Sequence, residues 1–343
     1  MKAPGFWYRE PGLKATLLSP AGVLYAAAGR LRRRWTTPVR VSVPVICIGN
    51  LTAGGAGKTP AAIAMAERLA ARGCAPAFLT RGYGGRNAGP VLVDLARHRS
   101  PDVGDEALLL ASHFPTCVSR DRPAGARAAI GAGANAVIMD DGFQNPGLSK
   151  DLSLLVVDGA SAFGNERVIP AGPLRERLAD GIARADALVV MGADSAGVGR
   201  RLADLARSLH DPPILAARLE PHETARRFRD ASVVAFAGIA RPQKFFATLE
   251  GLGARLVARY AFGDHHRYDA DELMQMAELA DAADAVLVTT AKDYARLPDE
   301  ARSMVQVLAV RTVWADPAAV DSLIDCLPGL SPRPAAGAIA TAG

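Results

Sequence analysis

Val43-Pro44-Val45-Ile46-Cys47-Ile48-Gly49-Asn50-Leu51-Thr52-Ala53-Gly54-Gly55-Ala56-Gly57-Lys58-Thr59 is the stretch that decides how the rest of the chain is read. Its first part, Val43–Ile48, is a short apolar run suited to a buried strand. Its second part has the composition of a phosphate loop. Such a loop needs small residues so that successive backbone N–H groups can face phosphate oxygens. It also needs a lysine for the β and γ oxygens and a hydroxyl for Mg²⁺. Gly54, Gly55 and Gly57 meet the first need, and Lys58 and Thr59 the others. Thr52, Ala53 and Ala56 complete the cradle, with Thr52 standing where the strict pattern has glycine. Ala53 occupies the place of the second lysine carried by some partitioning and metal-chaperone ATPases, which argues against that class. A helix over Thr59–Arg72 would present its positive N-terminal end to the phosphates.

Outward from this loop, short β-rich runs alternate with longer Ala- and Leu-rich segments. Expected strands are Val43–Ile48, Ala75–Thr80, Val91–Leu95, Thr116–Ser119, Ala136–Asp140, Leu152–Asp158 and Ala187–Met191, with helices at Asp105–His113 and Pro123–Ala132. Near-continuous apolar strands alternating with helices specify an α/β fold with a largely parallel sheet covered on both faces. A composition shift at Asp211-Pro212-Pro213 and the polar stretch Glu220–Asp230 mark a linker over 212–230, separating a first domain (37–211) from a second α/β set (231–328). That second set reads as strands at Ser232–Phe236, Arg255–Arg259, Ala285–Thr289 and Val305–Val310, with helices at Gln243–Leu249 and Ala270–Asp281. The Pro-, Ala- and Gly-rich tail, 329–343, is expected to be disordered.

The 343 residues are half hydrophobic and carry a formal charge of +5, which leaves nucleic acid, acidic membrane and phosphate substrates all open. Four scattered cysteines follow no metal-ligand spacing and suit a reduced compartment. Residues 1–36 resemble a secretory signal in their apolar run Ala15–Gly29. Glu10 in the leading flank, and Arg30, Arg32, Arg33 and Arg34 directly after the run, oppose translocation. The run is too short to span a bilayer, and Pro20 interrupts it. A helix lying on a membrane surface and a helix packed on its own domain both fit this composition.

A phosphate-loop enzyme also needs carboxylates. Asp140 and Asp141 end an apolar strand, and Asp158 ends another of similar form. The paired acids are favoured because two carboxylates can serve metal and water together. Asp105 and Glu106 open a helix, where acids are common for electrostatic reasons alone. Asp264-His265-His266 contains the chain's adjacent histidine pair, and Arg81-Gly82-Tyr83-Gly84-Gly85-Arg86 offers two guanidiniums for an anion. Thr289-Thr290-Ala291-Lys292-Asp293 has the Thr-x-Lys-Asp form of nucleotide-base loops, which is weak evidence by itself.

These motifs occur together, and in order, in one family. Gly49–Pro60, Thr80–Gly84, Val103–Glu106, Asp140–Gln144, Gly172-Pro173-Leu174-Arg175-Glu176 and Asp264–His266 make the chain resemble tetraacyldisaccharide 4′-kinases, the lipid A 4′-kinases of Gram-negative bacteria. The resemblance implies two α/β/α sandwich domains, the first like a P-loop NTPase, and an N-terminal helix on the membrane surface. It implies transfer of the γ-phosphoryl group of ATP, with Mg²⁺, to the 4′-hydroxyl of a tetraacylated glucosamine disaccharide 1-phosphate. The enzyme would be a peripheral monomer on the cytoplasmic face of the inner membrane, with no nucleic-acid partner. Carried over by residue, Thr52–Thr59 and Lys292 would hold the nucleotide, with Lys58 also acting in catalysis. Thr59, Glu106, Asp140 and Asp141 would serve the metal. Asp105 would be the base, paired with His265, and Arg81, Arg120 and Arg175 would bind the substrate's anionic groups.

Overall fold

A computed structural model describes residues 4–207 and 209–330. The strands are β1 Val45–Gly49, β2 Pro76–Thr80, β3 Val91–Leu92, β4 Thr116–Val118, β5 Ala136–Asp140, β6 Leu152–Asp158, β7 Ala187–Met191, β8 Ile214–Pro221, β9 Ser232–Ala237, β10 Arg255–Ala261, β11 Val286–Thr290, β12 Val305–Leu308 and β13 Val310–Trp314. Nine of them form one sheet in the order β13-β8-β7-β6-β1-β5-β2-β4-β3, and four form another in the order β10-β9-β11-β12. The fold is α/β, and both sheets are parallel except for the antiparallel edge pairs β3–β4 and β8–β13.

β1 lies centrally in the larger sheet, between β5 and β6. Ile46 and Ile48 point into one apolar core, and Val45 and Cys47 into the other. Covering both faces is what makes the run continuously apolar, and each such side chain contributes about 1.5–3 kcal/mol by leaving water. Helix α2 (Lys58–Ala71) packs Ala61, Ala62, Met65 and Leu69 into the first of these cores. It stops as the sequence predicts: Gly73 takes φ 79°, with Gly73 N–H bonded to Ala70 O and Cys74 N–H to Leu69 O. This is a Schellman closure, which satisfies the last carbonyls and favours glycine.

The domain boundaries differ from those expected. β8 lies inside the supposed linker yet pairs with β7, and Ala225 and Phe228, also within 212–230, enter the core of the second domain. The expected strand Val305–Val310 splits at Ala309. β12 stays in the small sheet, whereas β13 returns to the large one beside β8. The chain therefore crosses between domains twice. Its last described helix, Pro317–Asp325, lies against α2, where Arg68 Nε donates to Asp321 Oδ1 at 2.9 Å. Composition registers a polar stretch but cannot show that a later strand pairs with an earlier one. Of the tail expected to be disordered, 331–343 lie outside the described residues.

Helix α1 spans Leu13–Trp35 and continues through Pro20. Its small face, Ala15, Gly22 and Ala26, is buried, and a Cβ on Gly22 would lie 2.7 Å from Val168 O. Arg33 reaches Glu176 at 3.1 Å and Arg30 reaches Asp180 at 3.6 Å. Leu13, Leu17, Leu24 and Trp35 are each at least 70% exposed. No helix among the described residues is long and apolar enough to cross a membrane.

Candidate active site

Most groups of interest follow the C-terminal ends of parallel strands, the edge at which open α/β sheets bind ligands. The phosphate loop follows β1, Arg81 follows β2, Arg120 lies just past β4, and Asp140 closes β5. From the small sheet, Ala240 lies beyond β9, His265 beyond β10 and Lys292 beyond β11. The two edges meet. A Cβ on Gly55 would lie 3.8 Å from Ala240, and His265 reaches Asp105.

Asn50 shapes the loop from beneath. Fully buried, it donates through Nδ2 to Thr52 O at 2.8 Å and accepts from Lys58 Nζ at 3.1 Å. Gln144 Nε2 closes the set by donating to Asn50 O at 2.9 Å. Gly57 takes φ 86°, a conformation that a side chain would strain, and α2 starts at the next residue. Lys58 lies 3.6 Å from Asp141, and Thr59 Oγ1 donates to Asp140 Oδ2 at 2.8 Å. The loop's lysine and hydroxyl are thus each placed on one of the two acids.

Those acids are not equivalent. Asp140 is buried, its Oδ1 has no hydrogen-bond partner among the described residues, and burial together with nearby Glu106 pushes its carboxyl up to about 7. Burial also disfavours the Asp141 carboxylate, but Lys58 and Arg175 outweigh it and hold the group below its usual range. An unpaired carboxylate oxygen beside a second acid and a hydroxyl calls for a cation. Among the described residues no three His, Cys, Asp or Glu side chains gather into an all-protein cage. Mg²⁺ does not require one, since it is commonly held by one or two carboxylates with phosphate and water oxygens. Thr59, Asp140 and Glu106 fit it. Asp141 faces the lysine and arginine instead.

Asp105 is 3% exposed at the start of helix Asp105–Ala111. Gly104 precedes it at φ 86°, and a Cβ there would lie 2.3 Å from Tyr83 O. This contact shows why the Arg-Gly-Tyr-Gly loop and the Gly-Asp-Glu turn accompany each other. His265 Nδ1 lies 3.0 Å from Asp105 Oδ2, and Arg296 Nε donates to the same oxygen at 2.8 Å. Burial opposes the Asp105 carboxylate, but the His265 hydrogen bond and the charges of Lys292 and Arg296 outweigh it and hold the group's pKa well below the usual carboxylate range. Lys292 Nζ reaches Glu106 Oε1 at 3.1 Å and His265 Nε2 at 3.4 Å. An ammonium can only donate, so Nε2 is the acceptor and Nδ1 carries the proton toward Asp105.

Several sequence expectations are thereby redrawn. Lys292 lies among the acids. Its neighbour Asp293 has no exposed surface and bonds to Gly238 N–H and Tyr268, so that carboxylate is engaged within the second domain. Arg175, expected on the substrate, is partly buried and bonded to Asp141 at 2.8 Å, whereas Arg81 and Arg120 are exposed. Asp158, the rival acid, pairs with Arg241 at 2.8 Å and Lys244 at 2.9 Å from the second domain. Arg296, Arg241 and Lys244 are not legible in the sequence, because single cations in or beside short helices carry no motif. Asn50 lies within the phosphate-loop motif, but its bonds to Thr52 and Lys58 are visible only in the structure.

The model of the family Tetraacyldisaccharide-1-P 4′-kinase (LpxK) matches residues 14–327. The chain belongs to this family. The kinase is 52% identical over 327 residues to the tetraacyldisaccharide 4′-kinase of Rhodospirillum rubrum, covering 95% of this chain and 98% of that one. It is also 52% identical over 329 residues to that of Rhodospirillum centenum, covering 94% and 96%. A crystal structure of LpxK from Aquifex aeolicus in complex with ATP superposes with a TM-score of 0.70 at 24% identity, covering 91% of the kinase and 98% of that chain. That likeness is one of fold. The kinase thus has the family's α/β architecture and is a phosphotransferase.

Proposed function

We propose that the kinase transfers the γ-phosphoryl group of ATP to the 4′-hydroxyl of a tetraacylated glucosamine disaccharide 1-phosphate, in lipid A synthesis. The observation that carries this reading is the 3.0 Å contact between Asp105 of the first domain and His265 of the second, beside Glu106 and facing the phosphate-loop edge. Lys58 and the N–H groups of Gly54–Thr59 bind the phosphates. Asp105 accepts the proton of the attacking hydroxyl as its oxygen bonds to the γ-phosphorus and ADP leaves. A base placed this way supplies about 10²–10⁴-fold. His265, with Nδ1–H aimed at Oδ2, fixes the carboxylate's orientation, and Lys292 fixes the tautomer. Bound by Thr59, Asp140 and Glu106, Mg²⁺ would neutralise charge on the β and γ oxygens. Arg81 and Arg120, on neighbouring strands β2 and β4, are the substrate's anion contacts, while Arg175 and Asp141 hold Lys58 in place.

The amphipathic α1 docks on the cytoplasmic face of the inner membrane. Its leucines enter the acyl boundary, and exposed Arg32 and Arg34 meet the head groups. Both halves of the site come from one chain, which supports a monomer, and nucleic acid has no part in the reaction.

The test is transfer of label from [γ-³²P]ATP to the disaccharide acceptor in detergent micelles. The parent should label it, and Lys58→Ala should not. Asp105→Ala should cut turnover by at least about a hundredfold with little change in ATP affinity. Folded parent protein that leaves the acceptor unlabelled would rule out the activity, and near-normal turnover by Asp105→Ala would rule out the base.

A further inference from the structure

Arg296 is a residue that the phosphoryl-transfer scheme does not use. Its side chain is 4% exposed, and it is bound by four groups that are far apart in sequence. Nε donates to Asp105 Oδ2 at 2.8 Å. Nη1 donates to Gly238 O at 3.0 Å and His266 O at 3.3 Å, and lies 3.1 Å from Asp293 Oδ1. Gly238 follows β9, His266 lies beyond β10 and Asp293 lies beyond β11. One guanidinium therefore gathers the C-terminal ends of three adjacent strands of the small sheet. From that same fork it reaches the carboxylate of the other domain.

We infer that Arg296 is a positioning residue for phosphoryl transfer, holding Asp105 and the His265 loop in register across the domain boundary. The inference rests on Asp105 being the base. Both His265 and Arg296 bond to Oδ2, so neither occupies Oδ1, the oxygen that takes the hydroxyl's proton in this scheme. Arg296 Nη1 also fixes the His266 carbonyl, one residue from the histidine that shares Oδ2. If Arg296 served only the packing of the second domain, Gly238, His266 and Asp293 would be partners enough. The fourth bond is the one that crosses to the reaction. Lysine cannot replace this residue, because one ammonium cannot span the Asp105 and Gly238 oxygens as a planar fork does.

The experiment compares Arg296→Ala, Arg296→Lys and Asp105→Asn in the micelle assay, with circular dichroism to verify folding. Arg296→Ala should lower kcat about a hundredfold while KM for ATP stays within about twofold, the signature of a misplaced base. Guanidinium at tens of millimolar should restore part of that kcat, whereas urea, of the same shape but uncharged, should not. Should Arg296→Ala fail to fold, Arg296→Lys decides: its kcat should fall several-fold at unchanged KM. Parent-like kcat in either folded variant overturns the inference, as does equal recovery with urea. If Asp105→Asn keeps its turnover, the base assignment itself falls. If Asp105→Asn is silent and the Arg296 variants are parent-like, only the role of Arg296 falls.

Discussion

β5 and β6 flank β1 on its two sides, each an apolar run ending in an aspartate, yet Asp140 and Asp158 have opposite surroundings. Both are nearly inaccessible, at 1% and 6% exposure. Asp140 meets a hydroxyl at Oδ2, has no hydrogen-bond partner at Oδ1 among the described residues, and is driven up to about 7 by burial and the charge of Glu106. At Asp158, burial is outweighed by Lys244 and Arg241, which keep the carboxyl well below its usual range. Backbone N–H groups of Ala160 and Ser161 complete its shell. Strand position alone delivers both acids to the ligand edge. What lies opposite suits one to the proposed cation site and makes the other a strut between domains. The difference is electrostatic, and two substitutions probe it.

The largest effect should come from Asp140→Asn, which keeps the shape and the bond from Thr59 but removes the charge. Turnover in the micelle assay should fall by about a hundredfold or more, the scale of losing a metal's charge stabilisation. Asp158→Asn should leave turnover within a few-fold. Comparable losses in the two variants would erase the contrast.

The pH dependence of stability should separate them next. Unfolded aspartate ionises near pH 4, roughly three units below folded Asp140. Between those values the unfolded state releases a proton that the folded state keeps, so Asp140 destabilises the fold increasingly as pH rises toward 7. In chelator, the Tm of Asp140→Asn relative to the parent should therefore improve by roughly 5 °C between pH 5 and pH 8. A flat difference would mean that the acid is not held protonated. Asp158 has the opposite sign. Its depressed pKa contributes stability above about pH 4 that is lost as pH falls through the lower folded value.

The smallest effect should be that of Asp158→Asn on stability at neutral pH. Its partners are partly solvated, Arg241 at 33% and Lys244 at 58% exposure, so the loss should be about 1 kcal/mol, a Tm decrease of a few degrees. Salt at 0.5 M should shrink it further. A large, salt-insensitive loss would indicate that Asp158 supports the first domain's own fold.

Much of this architecture was legible in sequence because its signals are local. The alternation of apolar runs and helices gave the parallel sheet, Gly57-Lys58-Thr59 gave the phosphate loop, and Gly73 gave the end of α2. The motif set reached Asp105 and His265 only through family resemblance, since an acid at a helix start and a histidine in a loop are individually commonplace. Composition left α1 either packed or surface-lying. The structure shows a small-residue face buried against the domain and leucines turned outward, which one helix accommodates because Ala15, Gly22 and Ala26 share a face opposite Leu17 and Leu24.

By itself, then, the sequence determined most of the strands and helices and the Gly-rich turn between β1 and α2, because backbone freedom, side-chain volume and hydrophobic period act over a few residues. Only the tertiary structure decided that β13 returns to pair with β8, that Arg296 meets Asp105, and that Asp140 and Asp158 differ. Those outcomes depend on groups 83 and 191 positions apart entering one low-dielectric contact, where the sign of the opposing charge fixes each carboxylate's role.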